Sequence, residues 1–485
     1  MRCNQERAGL TSYEGRKAEV TAEPENIIMA YTGEFQIYED IIQEMSIVYQ
    51  HDKRPWMIGF SGGKDSTLLC CLVMEMLQRL PAYKRNKKVY IVSSDTLVEN
   101  PIVRDYMHRM SEMINNVGAD LNIKADIIYP KVEDTFWCKI IGLGYPTPEP
   151  PGFRWCTERL KIHPMNAYTM ETIKNNGEVI LLLGVRKAES VYRANNIRSR
   201  EIEGKILVPH NDIENAYVYN PLTEIPNEEV WKFLLKDDAI SPWGSDNKYL
   251  FSLYQGENLG EEQSVIGEID KEKIPVTGNS RFGCWICTMV KEDKSLKAFI
   301  DRGEDWLIPL RDYRNWMLEM RTTPGAREYK RRNGTMYRKA DGNLGEGPFT
   351  METRQEMLRR LLQLEVDTGL SLITIEELKY IDALWDSEGD LTRRKLVDIY
   401  HEVTGKSLPW DQYKVPVFSE EVIDEIRNLC AENHIEFELI SKLIVEIEAN
   451  KNFTNSSMVT KAFDRILNQG WLHFDSIEKG LKNEN

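Results

Sequence analysis

The apolar run 56–60 ends on Ser61-Gly62-Gly63. Leu68, Leu69, Leu72, Val73, Met76 and Leu77 then recur at three- and four-residue intervals until Pro81. A buried strand, a glycine turn and an amphipathic helix stopped by proline, in that order, form the opening half of a strand–helix–strand unit. The alternation continues, with strand character at 89–92, helix at 102–113, strand at 123–129, a helical stretch at 157–173 and strand at 179–183. A helix over 34–49 precedes it, with Phe35, Ile37, Ile41, Ile42, Met45, Ile47 and Val48 as its apolar positions. Alternation of this kind predicts an α/β fold, a parallel sheet with helices on both faces.

A chain of 485 residues is too long for one ordinary core. We read a loosely ordered lead-in over 1–33, an α/β domain over 34–240, and a cysteine-bearing and basic region over 241–348. An all-helical C-terminal domain follows over 349–485. Two irregular stretches, 142–152 and 241–281, are expected to form lids or site loops. In the helical part, Thr353 with Glu356 and Thr374 with Glu377 have capping-box spacing. Gly369, Gly405 and Gly470 stand where helices would stop. The stripe Phe437, Leu439, Ile440, Leu443, Ile444 and Ile447 reads as core.

The segment Ser61-Gly62-Gly63-Lys64-Asp65-Ser66 lies where backbone N–H groups and the positive end of a helix dipole face one spot, a ready anion site. The glycines let the backbone close on phosphate oxygens, Ser61 and Ser66 offer hydroxyls, and Lys64 adds a cation. Asp65 is a candidate for holding magnesium or positioning groups at the loop. It is not a Walker A loop, because Ile58 stands five before Gly63 and Asp65 follows Lys64. The pattern is that of a pyrophosphate loop, which grips the departing phosphates of ATP while the α-phosphate is attacked. Asp95 and Thr96 follow the second strand, at the end where ligands settle in open parallel sheets, and are candidates for the nucleoside. Gly184 leaves another strand and leads directly to Arg186, whose fork suits phosphate oxygens. Arg193 and Arg198 are weaker members of that group. Lys64, Asp65 and Arg186 are the catalytic candidates.

Of eight cysteines, Cys284 and Cys287 have the spacing of a metal-ligand pair, and Cys156 follows the Pro-rich loop. Cys138 is a candidate fourth ligand. Thiol-rich sites favour zinc or an iron–sulfur cluster, and a redox disulfide stays open on spacing alone. Cys3, Cys70, Cys71 and Cys430 read as structural.

A net charge of −15 argues against indiscriminate nucleic-acid binding by the whole surface, so any contact with DNA must be local or borrowed from partners. No apolar run is long enough to cross a bilayer. The N-terminal residues carry charge where a secretory peptide needs an apolar stretch, so a cytoplasmic location is expected.

These motifs resemble the phosphoadenosine-phosphosulfate reductase-like ATP pyrophosphatases, and among them the sulfurtransferases of DNA phosphorothioation. The likeness rests on 61–66, Ser93-Ser94-Asp95-Thr96-Leu97-Val98-Glu99, and 153–157. It also rests on 181–190, 281–288, and Gly347-Pro348-Phe349-Thr350. It spans about 35–360. The resemblance implies an adenine nucleotide alpha hydrolase-like fold with a PP-loop, ATP and Mg2+ as cofactors, and a 4Fe-4S cluster on Cys156, Cys284 and Cys287. It also implies a cysteine desulfurase and other DNA phosphorothioation proteins as partners, and DNA as the substrate whose backbone oxygen is replaced by sulfur. Where it implies a further cysteine before Arg281, the sequence reads Pro275-Val276-Thr277-Gly278-Asn279-Ser280, leaving Cys138 or an open iron. A tRNA thiolase is a rival reading. A phosphosulfate reductase is disfavoured by the cysteine-free ending Gly480-Leu481-Lys482-Asn483-Glu484-Asn485. From another class, a DNA-docking scaffold would use Arg327, Lys330, Arg331, Arg332, Arg338 and Lys339.

Overall fold

A computed structural model describes residues 31–150, 153–189, 195, 198, 205–255, 283–339, 342–450 and 456–469. Six strands, β1 (Trp56–Gly59), β2 (Val89–Ser94), β3 (Ile123–Ile128), β4 (Val179–Leu182), β5 (Val208–Pro209) and β6 (Ala216–Tyr219), form one sheet in the order β3-β2-β1-β4-β6-β5. The first five neighbours in that order are parallel, and only the two-residue edge strand β5 runs antiparallel.

Alternate residues divide between two apolar layers, as a sheet buried on both faces requires. Trp56, Ile58, Val89, Ile91, Ile180 and Leu182 join the large core under α1 (Gln36–His51), α2 (Lys64–Arg79) and α3 (Pro101–Gly118). Met57, Val92, Val179 and Leu181 face the other way and pack with Met165, Tyr168 and Ile173 of α4 (His163–Asn176). Helix α4 is entered through the turn Trp155–Thr157 and a π-helical turn, Glu158–Ile162.

Beyond β6 come α5 (Asn227–Leu234), α6 (Asn247–Gln255), α7 (Lys294–Ile300) and α8 (Ile308–Met320). The helical part comprises α9 (Met351–Thr368), α10 (Ile375–Ser387), α11 (Lys395–Thr404), α12 (Glu420–Glu432), α13 (Phe437–Asn450) and α14 (Ser456–Leu467). Thr374 and Glu377 form the expected reciprocal cap of α10. The cap of α9 is Thr350, whose hydroxyl accepts from the Thr353 amide, three residues before the position that spacing suggested. Gly369 and Gly405 end α9 and α11 in left-handed conformations, φ +71 and +66.

Helices α9 to α11 do not stand apart from the α/β layer. Leu358, Leu361, Ile381, Trp385 and Leu396 belong to the same buried cluster as the sheet. Polar groups seal the seam at the π-helical turn Cys138–Gly142. The Trp385 indole donates to Ile141 O at 3.0 Å, Arg354 to Gly142 O at 2.7 Å, and Trp137 to Leu372 O at 2.7 Å. The stripe on α13 is not the buried core it reads as. Phe437, Leu439, Ile440, Leu443 and Ile444 are half-buried, Ile447 is exposed, and Ser441 is the buried residue of that helix.

The lead-in up to residue 30, Cys3, Ser190, Arg193, Arg281, 275–280 and Gly470 lie outside the described residues. No helix among the described residues is long and apolar enough to cross a membrane.

Candidate functional site

The chain leaves β1 toward β2 on one side and returns to β4 on the other, so the C-terminal ends of β1 and β4 flank the crevice where open parallel sheets place ligands. Residues 61–66 fill this crevice, and α2 begins at Lys64 with Gly63 as its N-cap. Gly62 turns the chain with φ +70, a conformation that favours glycine. The Ser66 hydroxyl donates to Gly63 O at 2.9 Å and lies 3.2 Å from Ser61 Oγ. These bonds tighten the loop around the first turn of the helix, whose leading amides have no intrahelical partner.

Gly184 serves the loop by its smallness. A Cβ there would come within 2.9 Å of Asp65 O, 3.1 Å of Asp65 C and 3.3 Å of Ser66 N. The end of β4 therefore presses directly on the backbone of the phosphate loop.

Arg186 is fully buried and does not present its fork to the crevice, contrary to the expectation that it faces a triphosphate. Its Nε donates to Asp65 Oδ1 at 2.7 Å, one terminal nitrogen to Ile225 O at 3.0 Å, and the other to Asn227 Oδ1 at 2.6 Å. Asp65 Oδ2 is 3.1 Å from Lys64 Nζ. The arrangement Asn227–Arg186–Asp65–Lys64 fixes the loop from beneath, which makes Arg186 a positioning residue acting through Asp65. Each Asp65 oxygen takes one of these partners and keeps a second lone pair, so the carboxylate that would hold magnesium beside the phosphates is present at the loop.

Asp95 and Thr96 are likewise buried. Asp95 accepts from the Leu97 amide at 2.8 Å and pairs with His108 Nε2 at 2.9 Å, and Thr96 donates to Glu99 Oε1 at 3.0 Å. Leu97 has φ +66, so these bonds hold a tight turn. Asp95 also lines an open pocket of about 600 Å³ with Arg104, Asp105, His108, Arg109 and Glu112. Arg198 is exposed.

The turn after β2 leads to the thiols. Glu99 and Cys284 form an antiparallel bridge, and the Trp285 amide donates to Val98 O at 3.1 Å. The Pro-rich loop reaches the same place, because Pro148 O accepts from Thr288 Oγ1 at 2.7 Å and from Arg321 at 3.0 Å. Cys156, Cys284 and Cys287 are all partly exposed. Cys284 donates its S–H to Cys287, which holds Cys287 low, at about 6, while that bond and burial push Cys284 up. Burial raises Cys156, and the charge of Cys287 raises it further. Arg314 is 1% exposed and binds the loop that follows, donating to Cys287 O at 2.8 Å, Lys291 O at 2.9 Å and Val290 O. Lys161 stands over this region, 3.0 Å from Glu99.

Cys138 has another setting. Its thiol is buried in the main core, donates to Glu377 O at 3.9 Å, and is pushed up to about 12 by burial. The remaining three are an all-sulfur donor set, chemistry that suits an iron–sulfur cluster. Among the described residues, however, no group of three or more His, Cys, Asp or Glu side chains is assembled as a metal site.

The basic segment is largely neutralised within the fold. Arg327 and Lys339 pair with Glu346, Lys330 with Glu436 and Glu438, and Arg332 with Glu388. Sequence reasoning missed Asn227, Arg314 and Tyr254, whose hydroxyl accepts from the Lys64 amide at 3.1 Å.

Residues 55–289 match the family model described as phosphoadenosine phosphosulfate reductase domain. An uncharacterised protein of Methanocaldococcus jannaschii is 26% identical over 297 residues, which are 59% of this chain and 48% of that protein, so the chain spans about half the length of this relative. Two solved structures also show likeness. FMN adenylyltransferase of Candida glabrata in complex with FAD and inorganic pyrophosphate has 12% identity and a TM-score of 0.28, covering 50% of this chain and 68% of that one. The U34-tRNA thiolase NcsA from Methanococcus maripaludis with its 4Fe-4S cluster has 16% identity and a TM-score of 0.26, covering 46% and 76%.

Proposed function

We propose that the phosphoadenosine phosphosulfate reductase-like domain at 55–289 makes this chain an ATP pyrophosphatase that activates a nucleic-acid acceptor for sulfur transfer. The observation that carries this reading is the position of the loop 61–66. It closes the end of β1 at the sheet's switch point and opens α2, with its helix amides turned to the crevice.

The terminal phosphates of ATP lie against the loop amides, with Lys64 and the helix dipole neutralising their charge. An acceptor oxygen attacks the α-phosphorus, the bond from that phosphorus to the α,β-bridging oxygen breaks, and pyrophosphate departs. The acceptor is left as a mixed anhydride with AMP. Hydrosulfide then attacks the activated centre, AMP leaves with the former acceptor oxygen, and one proton is released. The loop contributes by stabilising charge that develops on the departing pyrophosphate, the largest single effect in most phosphoryl chemistry. Arg186 and Asn227 keep Asp65 and the loop backbone in place. A 4Fe-4S cluster, when bound, would be held by Cys156, Cys284 and Cys287 and would supply iron for sulfide. No step above requires it.

The acceptor we favour is a DNA backbone phosphate, with a cysteine desulfurase and other phosphorothioation proteins as partners. The support for it is the sequence resemblance over about 35–360. The test is AMP release with ATP, sulfide and either duplex DNA or unmodified tRNA. Release stimulated by DNA, with phosphorothioate recovered after nuclease digestion, supports this reading. Release stimulated by tRNA alone, with a thiolated base, overturns the acceptor and leaves the ATP chemistry standing.

A further inference from the structure

Helices α5 and α6 form a hairpin that reaches the phosphate loop in two ways, through Arg186 and directly. At its start, Ile225 O and Asn227 Oδ1 take two of the Arg186 donors, 3.0 and 2.6 Å away. At its end, Tyr254 places its hydroxyl 3.1 Å from the Lys64 amide. The hairpin is stiff. Asn247 donates to Leu234 O at 3.0 Å, and the rings of Phe251 and Tyr254 stand edge-on to Trp231 with centroids 5.0 and 5.1 Å away. Tyr254 is 8% exposed, and Lys64 Nζ lies 5.5 Å from the centre of its ring. A Cβ on Gly63 would meet the tyrosine oxygen at 3.0 Å, so that oxygen sits directly on the loop.

The Lys64 N–H is the first amide of α2, one of those that a helix terminus turns toward an anion. Here it is engaged by a neutral hydroxyl. A phosphate oxygen carries charge and makes a bond about twice as strong to the same donor. We propose that Tyr254 is a latch displaced by nucleotide: its hydroxyl occupies the Lys64 amide until a terminal phosphate oxygen takes that amide over, which frees the end of α6 from the loop. Nucleotide binding and the α5–α6 hairpin are thereby linked, with the exchange of one hydrogen-bond acceptor as the coupling event. The latch rests on the ATP reading given above.

The full chain carrying Tyr254→Phe keeps the ring and its packing on Trp231 and removes the competing oxygen. Binding of a non-hydrolysable ATP analogue, measured by calorimetry, is expected to tighten about three- to tenfold, the range of one modest hydrogen bond. In hydrogen exchange of the unaltered protein, the analogue is expected to slow the amides of 61–68 and to quicken those of 247–255. In the variant the second effect disappears. Affinity that is unchanged or weaker in Tyr254→Phe, or slower exchange over 247–255 with analogue, overturns the latch and leaves the ATP site intact. Absence of binding by the unaltered protein overturns both.

Discussion

Replacing Gly184 by alanine tests whether the end of β4 supports the phosphate loop. The new methyl group would lie 2.9 Å from Asp65 O, 3.1 Å from Asp65 C and 3.3 Å from Ser66 N. All three neighbours are backbone atoms of the loop and the first turn of α2, so no flexible side chain can swing aside. Relief requires the segment after β4 and the start of α2 to separate by several tenths of an ångström. Overpacking of this kind costs roughly 1–3 kcal/mol of stability. The displaced atoms are those that would position the phosphates, and a misplacement approaching 1 Å lowers a rate by about 100-fold. A fall in acceptor-dependent AMP release of about 10- to 100-fold is therefore expected, read by chromatography of labelled ATP, beside a lower urea midpoint. Gly59→Ala is the control, because its nearest neighbour is the Leu183 side chain at 3.9 Å. If Gly184→Ala releases AMP and unfolds like the unaltered protein, the β4 end does not brace the loop and the argument fails.

Breaking the buried Arg186–Asp65 pair with Arg186→Met should destabilise by about 3 kcal/mol, the low end for such pairs because Asp65 keeps some solvent. In a double-mutant cycle with Asp65→Asn, the two losses should sum to more than the loss in the double variant; simple additivity would show that the residues do not act together. In reduced protein stripped of metal by a chelator, Cys287, held low at about 6 by the Cys284 S–H, should be alkylated first by iodoacetamide at pH 7. Its labelling should fall as pH drops through 6, with Cys138 unreactive, and peptide mass spectrometry would contradict this if Cys138 were modified as fast. Anaerobic purification is expected to yield iron and acid-labile sulfide that are lost in Cys287→Ala, whereas one zinc per chain would dismantle the cluster proposal.

Much of the α/β layer was legible because it rests on local periodicity. Met57, Val92 and Leu181 alternate with Ile58, Ile91 and Leu182 between two buried faces, so each strand shows in the sequence as a short apolar run before any packing is known. Strands β5 and β6 both escaped, β5 because two residues carry too little pattern. The loop 61–66 was legible as chemistry, but its supports were not. The contact of Tyr254 with Lys64 joins residues 190 apart, and no spacing rule reaches that far. Arg186 was read as a phosphate ligand because sequence shows the guanidinium and hides its complete burial. The pairing of the basic segment was hidden for a related reason. Its acidic partners Glu388, Glu436 and Glu438 lie far along the chain, so the patch looked unpaired until the fold closed. In α9 the capping pattern at Thr353 competed with Thr350, and the residue with extended backbone ahead of the first turn won.

The identity of the two products of ATP tests the central claim most directly. With nucleic-acid acceptor and sulfide present, the account requires AMP and pyrophosphate in equal amounts, both abolished by Asp65→Ala. Release of ADP and orthophosphate instead would mean that the bond cleaved is the β,γ linkage, and the loop would not be a pyrophosphate cradle.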